Sequence, residues 1–224
     1  MKKQFFIYIF ALVTTTISAQ VFEIGLFAGG SNYVGDIGPS NYINPNFPAV
    51  GGVAKFNFTP RINFRGSLIY TQLNAKDSKS DSDFILQRGL SVKNNILEAS
   101  AGLEFNFFKY SMNQVVFDQT HYILVQGAVT NYAVVYEREP GQFYSKRKFA
   151  VMPSLGLGYK MRIAENLAMS IESSFRYTFT DDIDISSDRN IDVGNSDSDD
   201  WYIFTGFTIT YGFGRPGCYK GTFF

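Results

Sequence analysis

Leu167, Met169, Ile171, Ser173, Phe175, Tyr177 and Phe179 alternate one for one with Ala168, Ser170, Glu172, Ser174, Arg176 and Thr178. Side chains on a strand point alternately to opposite faces, so this segment predicts a strand lying between an apolar medium and a polar one. The pattern recurs about eight times along the chain. A first strand is expected from about Phe22 to Tyr33, with Ile24, Leu26 and Ala28 opposite Glu23, Gly25 and Phe27. A second, from about Ala49 to Phe58, turns back at Thr59 and Pro60. The third sets Ile62, Phe64, Leu68 and Tyr70 against Arg61, Asn63, Arg65 and Ser67, and the fourth sets Leu97, Leu103, Phe105 and Phe107 against Glu98, Ser100, Glu104 and Asn106. The fifth, from about Thr120 to Val134, is apolar on both sides and its register stays open. In the sixth, Phe149, Val151, Leu155, Leu157 and Tyr159 oppose Ser154, Gly156, Gly158, Lys160 and Arg162, and in the eighth Trp201, Ile203, Phe207, Ile209 and Tyr211 oppose Tyr202, Gly206, Thr208 and Thr210.

Two architectures fit such strands. A water-soluble sandwich turns its oily face inward, whereas a transmembrane barrel turns it outward to lipid. The connections separate them: those after the first, third, fifth and seventh strands read as long and polar, those after the second and sixth as minimal. Long loops on one rim and short turns on the other are the asymmetry of an outer-membrane barrel, with the short turns periplasmic. Strands of about 10 to 14 residues also suit a tilted span better than a sandwich. The sequence therefore predicts an all-β protein, an eight-stranded antiparallel up-and-down transmembrane β-barrel. Aromatic positions on the outer face fall into two belts, Phe58, Phe107, Tyr159, Tyr211 and Phe213 toward the periplasmic rim and Tyr70, Phe149, Tyr177, Phe179 and Trp201 toward the external one.

The N-terminus changes the compartment. Lys2 and Lys3 precede an apolar run from Phe5 to Val13 and a small-residue stretch ending at Ala19, the pattern of a secretory signal peptide. That run is shorter than the roughly 20 apolar residues of a spanning helix. Residues 1–19 are expected to be the signal peptide, 20–213 the barrel and 214–224 a periplasmic C-terminal tail. A formal net charge of zero argues against a nucleic-acid partner. The lone Cys218 excludes an internal disulfide framework and leaves either an intermolecular bridge or a free thiol.

Eight strands enclose a space filled by side chains. The inward faces bring Glu23, Glu98, Glu104 and Glu172 together with Lys55, Arg61, Arg65, Lys160, Arg162 and Arg176. Charges in so narrow a space must pair, because an isolated buried ion is very costly. Counted from the periplasmic turns, Arg65 and Glu172 stand at similar height with Glu104 lower, and the expected lumen cluster is Arg65, Glu172, Glu104, Arg176 and Lys160. Glu23 is placed at the rim. A structural plug of ion pairs outweighs an ion relay.

Catalytic chemistry is not indicated. The single histidine, His121, lies near the periplasmic start of the fifth strand without a neighbouring serine in a nucleophile elbow. Gly29-Gly30 and Gly156 with Gly158 precede no helix, which excludes a phosphate cradle. The segment 181–200 is rich in aspartate, but it lacks EF-hand spacing and reads as a solvated loop. No cofactor, metal or catalytic residue is expected.

Three strings carry a resemblance: Gly30-Ser31-Asn32-Tyr33-Val34-Gly35-Asp36-Ile37, Arg176-Tyr177-Thr178-Phe179-Thr180-Asp181, and Trp201-Tyr202-Ile203-Phe204-Thr205-Gly206 running on through Tyr211, Gly212, Phe213, Gly214 and Arg215. Together they resemble the PorG family, the small outer-membrane barrels of the type IX secretion system of Bacteroidetes. The resemblance implies a non-enzymatic component that contacts a periplasmic ring built from a lipoprotein and a companion subunit, and that serves secretion and gliding motility. It implies partner-binding candidates on the periplasmic side, namely Tyr110 and Phe117 in the fourth connection and Arg215, Cys218 and Tyr219 in the tail, with Cys218 bridging to the ring lipoprotein. The chain ends Arg215-Pro216-Gly217-Cys218-Tyr219, a spacing shifted from the Lys-Pro-Cys-Tyr type expected in that family. The alternative is a general barrel of the OmpA or OmpW sort, serving adhesion or passage of small hydrophobic solutes. Outer-membrane lipid is the surrounding partner in either case.

Overall fold

The structure is a computed structural model that describes residues 21–34, 45–76, 91–111, 118–139, 142–179 and 201–213. Eight strands follow one another: β1 (Val21–Val34), β2 (Phe47–Asn57), β3 (Ile62–Lys76), β4 (Ser91–Asn106), β5 (Gln119–Glu139), β6 (Gln142–Ala164), β7 (Leu167–Tyr177) and β8 (Trp201–Phe213). Each pairs antiparallel with its sequence neighbour, and β1 pairs with β8 to close the barrel. Closure removes the two unpaired edges that an open sheet would expose, which is the condition for a sheet to stand in lipid.

The two-faced pattern resolves as the alternation requires. Leu26, Leu68, Leu103, Leu155 and Phe207 are more than half exposed on the outer wall, while Glu23, Arg65, Glu98, Glu104 and Glu172 are buried inside. Such an inside-out distribution makes the outer wall a lipid-facing surface. The aromatic belts are present. Phe105–Phe107, Tyr211–Phe213 and His121–Tyr159 pack ring on ring near the rim with the short turns. At the opposite rim Tyr177 meets both Phe179 and Trp201 with centroids 4.7 Å apart. Phe179, two residues past the end of β7, has φ at 46°, a left-handed conformation unusual for a bulky side chain.

Two expectations change. The connection after the fifth strand is not a long loop: β5 and β6 run for 21 and 23 residues and are separated only by residues 140 and 141. Val134, Val135 and Tyr136 in the first strand and Phe143 and Tyr144 in the second are strand formers, and Pro140-Gly141 is turn chemistry, so a ribbon is favoured over a loop. Pairing of β4 with β5 stops at Leu97–Asn131 and pairing of β7 with β6 at Arg176–Ser154. Above those rungs the β5–β6 ribbon has no third strand.

The fifth strand's open register also settles. Tyr122, Leu124, Gln126, Ala128, Thr130 and Tyr132 are buried, whereas Val125 and Val129 are exposed. The strand is apolar on both faces because the external half of the lumen is itself apolar. Phe27, Val53, Ile69, Ile96, Ala128, Met152 and Phe204 belong to one buried cluster inside the barrel.

Candidate functional site: the barrel lumen

Buried charge inside the barrel balances among the described residues: Lys55, Arg65, Lys160 and Arg176 against Glu23, Glu98, Glu104 and Glu172. These groups are organised in two layers. In the periplasmic layer Arg65 presents its guanidinium edge to Glu172, with Nη1 2.6 Å from Oε2 and Nη2 2.7 Å from Oε1. This two-point geometry is the strongest that an arginine and a carboxylate make. The Tyr122 hydroxyl donates to the same Glu172 carboxylate, and Gln126 donates from its side-chain nitrogen to the Arg65 carbonyl at 3.2 Å. Glu104 lies beside this pair and serves three cations. Lys55 Nζ is 3.0 Å away, Arg65 Nη1 is 3.6 Å away, and Lys160 donates directly to its carboxylate. Asn63 adds a hydrogen bond at 3.0 Å.

The second layer lies within the apolar cluster. Arg176 pairs with Glu98 at 3.0 Å and lies over the Phe204 ring, 4.2 Å from its centroid. Tyr202 donates to Glu98 and also meets the Thr130 hydroxyl at 2.6 Å. Arg176 is therefore not part of the Arg65–Glu172–Glu104–Lys160 cluster with which the sequence grouped it. It lies four residues beyond Glu172 on β7, about 13 Å farther along the strand at ~3.3 Å per residue, and meets a different carboxylate. Glu23 stands near the periplasmic end of β1, as expected, paired with Gly212 one residue from the end of β8. Glu23 is buried, accepting from Asn57 at 2.7 Å and from Thr210 at 2.9 Å.

The periplasmic mouth is stoppered. Tyr110, in the connection between β4 and β5, is buried with its ring 4.6 Å from Lys160 Nζ, and its backbone N–H donates to the Pro60 carbonyl at 3.0 Å. Burial, with Glu23 and Glu104 nearby, pushes its phenol above the ordinary tyrosine range. The side chain offered above as a docking contact thus faces the lumen and caps it. Beside it Phe108 is exposed at 62%. Phe117, Arg215, Cys218 and Tyr219, the Asp-rich segment 181–200 and the signal segment 1–19 lie outside the described residues.

Sequence reasoning found Arg65, Glu172, Glu104 and Lys160 by inward parity and similar height. It missed Tyr122, which anchors Glu172, because apolar and aromatic residues occupy both faces of β5, and it put Tyr202 on the inward face of β8 without bringing it to Glu98. Among the described residues no group of three metal-ligating side chains converges. His121 is exposed on the outer wall, where its ring packs 5.0 Å from Tyr159 as part of the belt. An apolar groove of about 410 Å³ indents the outer wall between Gly30, Pro45, Ile171 and Phe207.

A closed barrel with an apolar wall, aromatic belts and a charge-paired, filled interior defines a transmembrane β-barrel of the outer-membrane type. The chain belongs to the family described as Domain of unknown function (DUF6089), whose profile matches residues 2–222. No curated protein matches it. Among solved structures it is similar to the N-terminal β-barrel domain of Pseudomonas aeruginosa OprF, at 13% identity and TM-score 0.45 over 88% of this chain and 98% of that one. It is also similar to the Neisserial surface protein NspA, at 9% identity and TM-score 0.47 over 88% and 98%. A third is Ail, the attachment invasion locus protein of Yersinia pestis, at 13% identity and TM-score 0.42 over 86% and 97%.

Proposed function

We propose that this barrel is a non-enzymatic outer-membrane component of a type IX secretion system, contacting a periplasmic ring of lipoprotein and companion subunit. The observation that carries this reading is the blocked lumen. Two layers of ion pairs and a tyrosine cap fill the interior, so surfaces rather than a channel are left to act. On the periplasmic rim the exposed Phe108 supplies an apolar contact of the kind that anchors protein interfaces. The strings from Gly30, Arg176 and Trp201 that resemble PorG support the choice of partner. Affinity purification of a tagged full-length copy from native membranes tests it. Co-purification of the ring lipoprotein and its companion is expected. Recovery of the barrel without either, from cells that still secrete, would overturn the reading.

The ribbon above the β5–β6 rungs favours a second reading, a general barrel with an adhesive external projection. Loss of surface attachment on removing the ribbon, with no ring subunits in the purification, is its expected signature.

A further inference from the structure

The groove in the outer wall has a direction. One rung of outward residues, Tyr70, Val50, Ala28, Phe207, Ile171 and Tyr159, runs from β3 to β6 and joins the external aromatic belt to the periplasmic one. Rungs on this side therefore slope down through the membrane, as strand tilt requires. The next outward rung toward the external rim is Pro48, Gly30, Thr205 and Ser173. Gly30 lacks a side chain and Thr205 has a short one, so the wall is recessed along it, and the groove of about 410 Å³ lies there. Phe207 and Ile171 form its lower edge, Pro45 overhangs it, and Pro48 stands at its external end. A Cβ at Gly30 would come 2.4 Å from the Cβ of Pro45, so only glycine lets that ring lie against the wall. The Thr205 hydroxyl on the floor is bonded to Ser173 at 2.9 Å, and no charged side chain lines the groove.

We infer that this groove holds one acyl chain of a lipid in the external leaflet. Its slope is that of a chain descending from a headgroup. Pro48 lies two residues beyond Val50, the partner of the belt residue Tyr70, and so stands at the height of the external belt. Ile171 and Phe207 lie about 20 Å along β7 and β8 from Tyr177 and Trp201, at ~3.3 Å per residue, inside the hydrocarbon. A recess left empty there loses dispersion contacts that a fitted chain supplies, so a chain in the groove is held longer than one lying on the bare wall. The convex wall of a second barrel would bridge a narrow recess without entering it, whereas a flexible chain fills it. With no charge in the lining, recognition is of the chain and not of the headgroup.

Full-length protein refolded free of native lipid, incubated in mild detergent with palmitoyl-oleoyl phosphatidylglycerol, washed and weighed by native mass spectrometry, tests the site. Wild type is expected to retain a single lipid, to retain phosphatidylethanolamine with the same chains equally well, and to lose the dihexanoyl form, whose chains are too short to run from Pro48 to Phe207. Thr205→Phe, which places a ring in the groove, should lose the lipid. Gly127→Phe should keep it, because Gly127 lies on β5, across the barrel from Gly30, where an added Cβ meets nothing within 4 Å. Equal retention by Thr205→Phe and wild type, loss in Gly127→Phe, dependence on the headgroup, or retention of the dihexanoyl lipid would each overturn the inference. So would a dimer mass that Thr205→Phe abolishes, which would make the groove a contact between copies. The chain-length and headgroup comparisons use wild type alone, so they decide the matter even if Thr205→Phe fails to fold.

Discussion

Glu172 holds more of the lumen in place than its size suggests, since one carboxylate accepts both guanidinium nitrogens of Arg65 and the hydroxyl of Tyr122. Glu172→Ala leaves Arg65 buried with only the longer contact to Glu104, and breaking a buried pair in this way costs ~3–5 kcal/mol. Glu23→Ala removes two hydrogen bonds from neutral side chains and strands no cation, for a loss of ~1–3 kcal/mol. Heat-modifiable gel mobility in a urea series should rank wild type above Glu23→Ala above Glu172→Ala. Replacing both Arg65 and Glu172 with leucine should recover much of the loss, because no unpaired ion remains. At this scale the sequence was informative where polar and apolar positions alternate strictly. Inward parity and similar height brought Arg65 to Glu172. Arg176 was misplaced because parity says which face a residue is on but not which carboxylate lies level with it across a tilted, staggered sheet.

The strands themselves show a second limit of pattern reading. Alternation locates a strand where its two sides meet different media, and it lapses in β5, where apolar lumen and lipid lie on either side of Ala128 and Val129. Small residues mark what alternation leaves out. Gly158 faces inward on β6, and a Cβ there would stand 2.3 Å from the Tyr122 ring. Gly158→Ala must therefore push Tyr122 off Glu172, with an expected loss of ~1–3 kcal/mol from overpacking, read as a lower urea midpoint. The ribbon behaves oppositely. It has no third strand above Asn131 and Ser154, and isolated two-stranded ribbons are marginal in water. Replacing residues 135–145 with a two-residue Asn-Gly turn, which joins the register partners Val134 and Lys146, should leave the urea midpoint of the barrel unchanged. Strand rather than the expected long loop forms there because polar Glu137, Arg138 and Glu139 sit beside the β-branched and aromatic Val134, Val135 and Tyr136.

For the whole molecule, four buried cations and four buried anions make the described interior formally neutral, and Tyr110 closes its periplasmic mouth. Purified protein in planar bilayers should show no stable conductance, since nothing in the plug has to move for the fold to persist. Reproducible porin-sized steps would contradict the packing described.

Closure has a consequence for synthesis. The seam is made by the first strand and the last, and the Thr210–Glu23 hydrogen bond spans 187 residues of chain. A polypeptide released from the ribosome before Trp201 would carry β1 to β7 with two bare edges, each a row of amide groups that hydrocarbon cannot satisfy. Seven-eighths of this fold is thus worth almost nothing in the membrane. Premature termination should yield periplasmic fragments for proteases rather than a smaller barrel, so that the last strand serves as the chain's own certificate of completion.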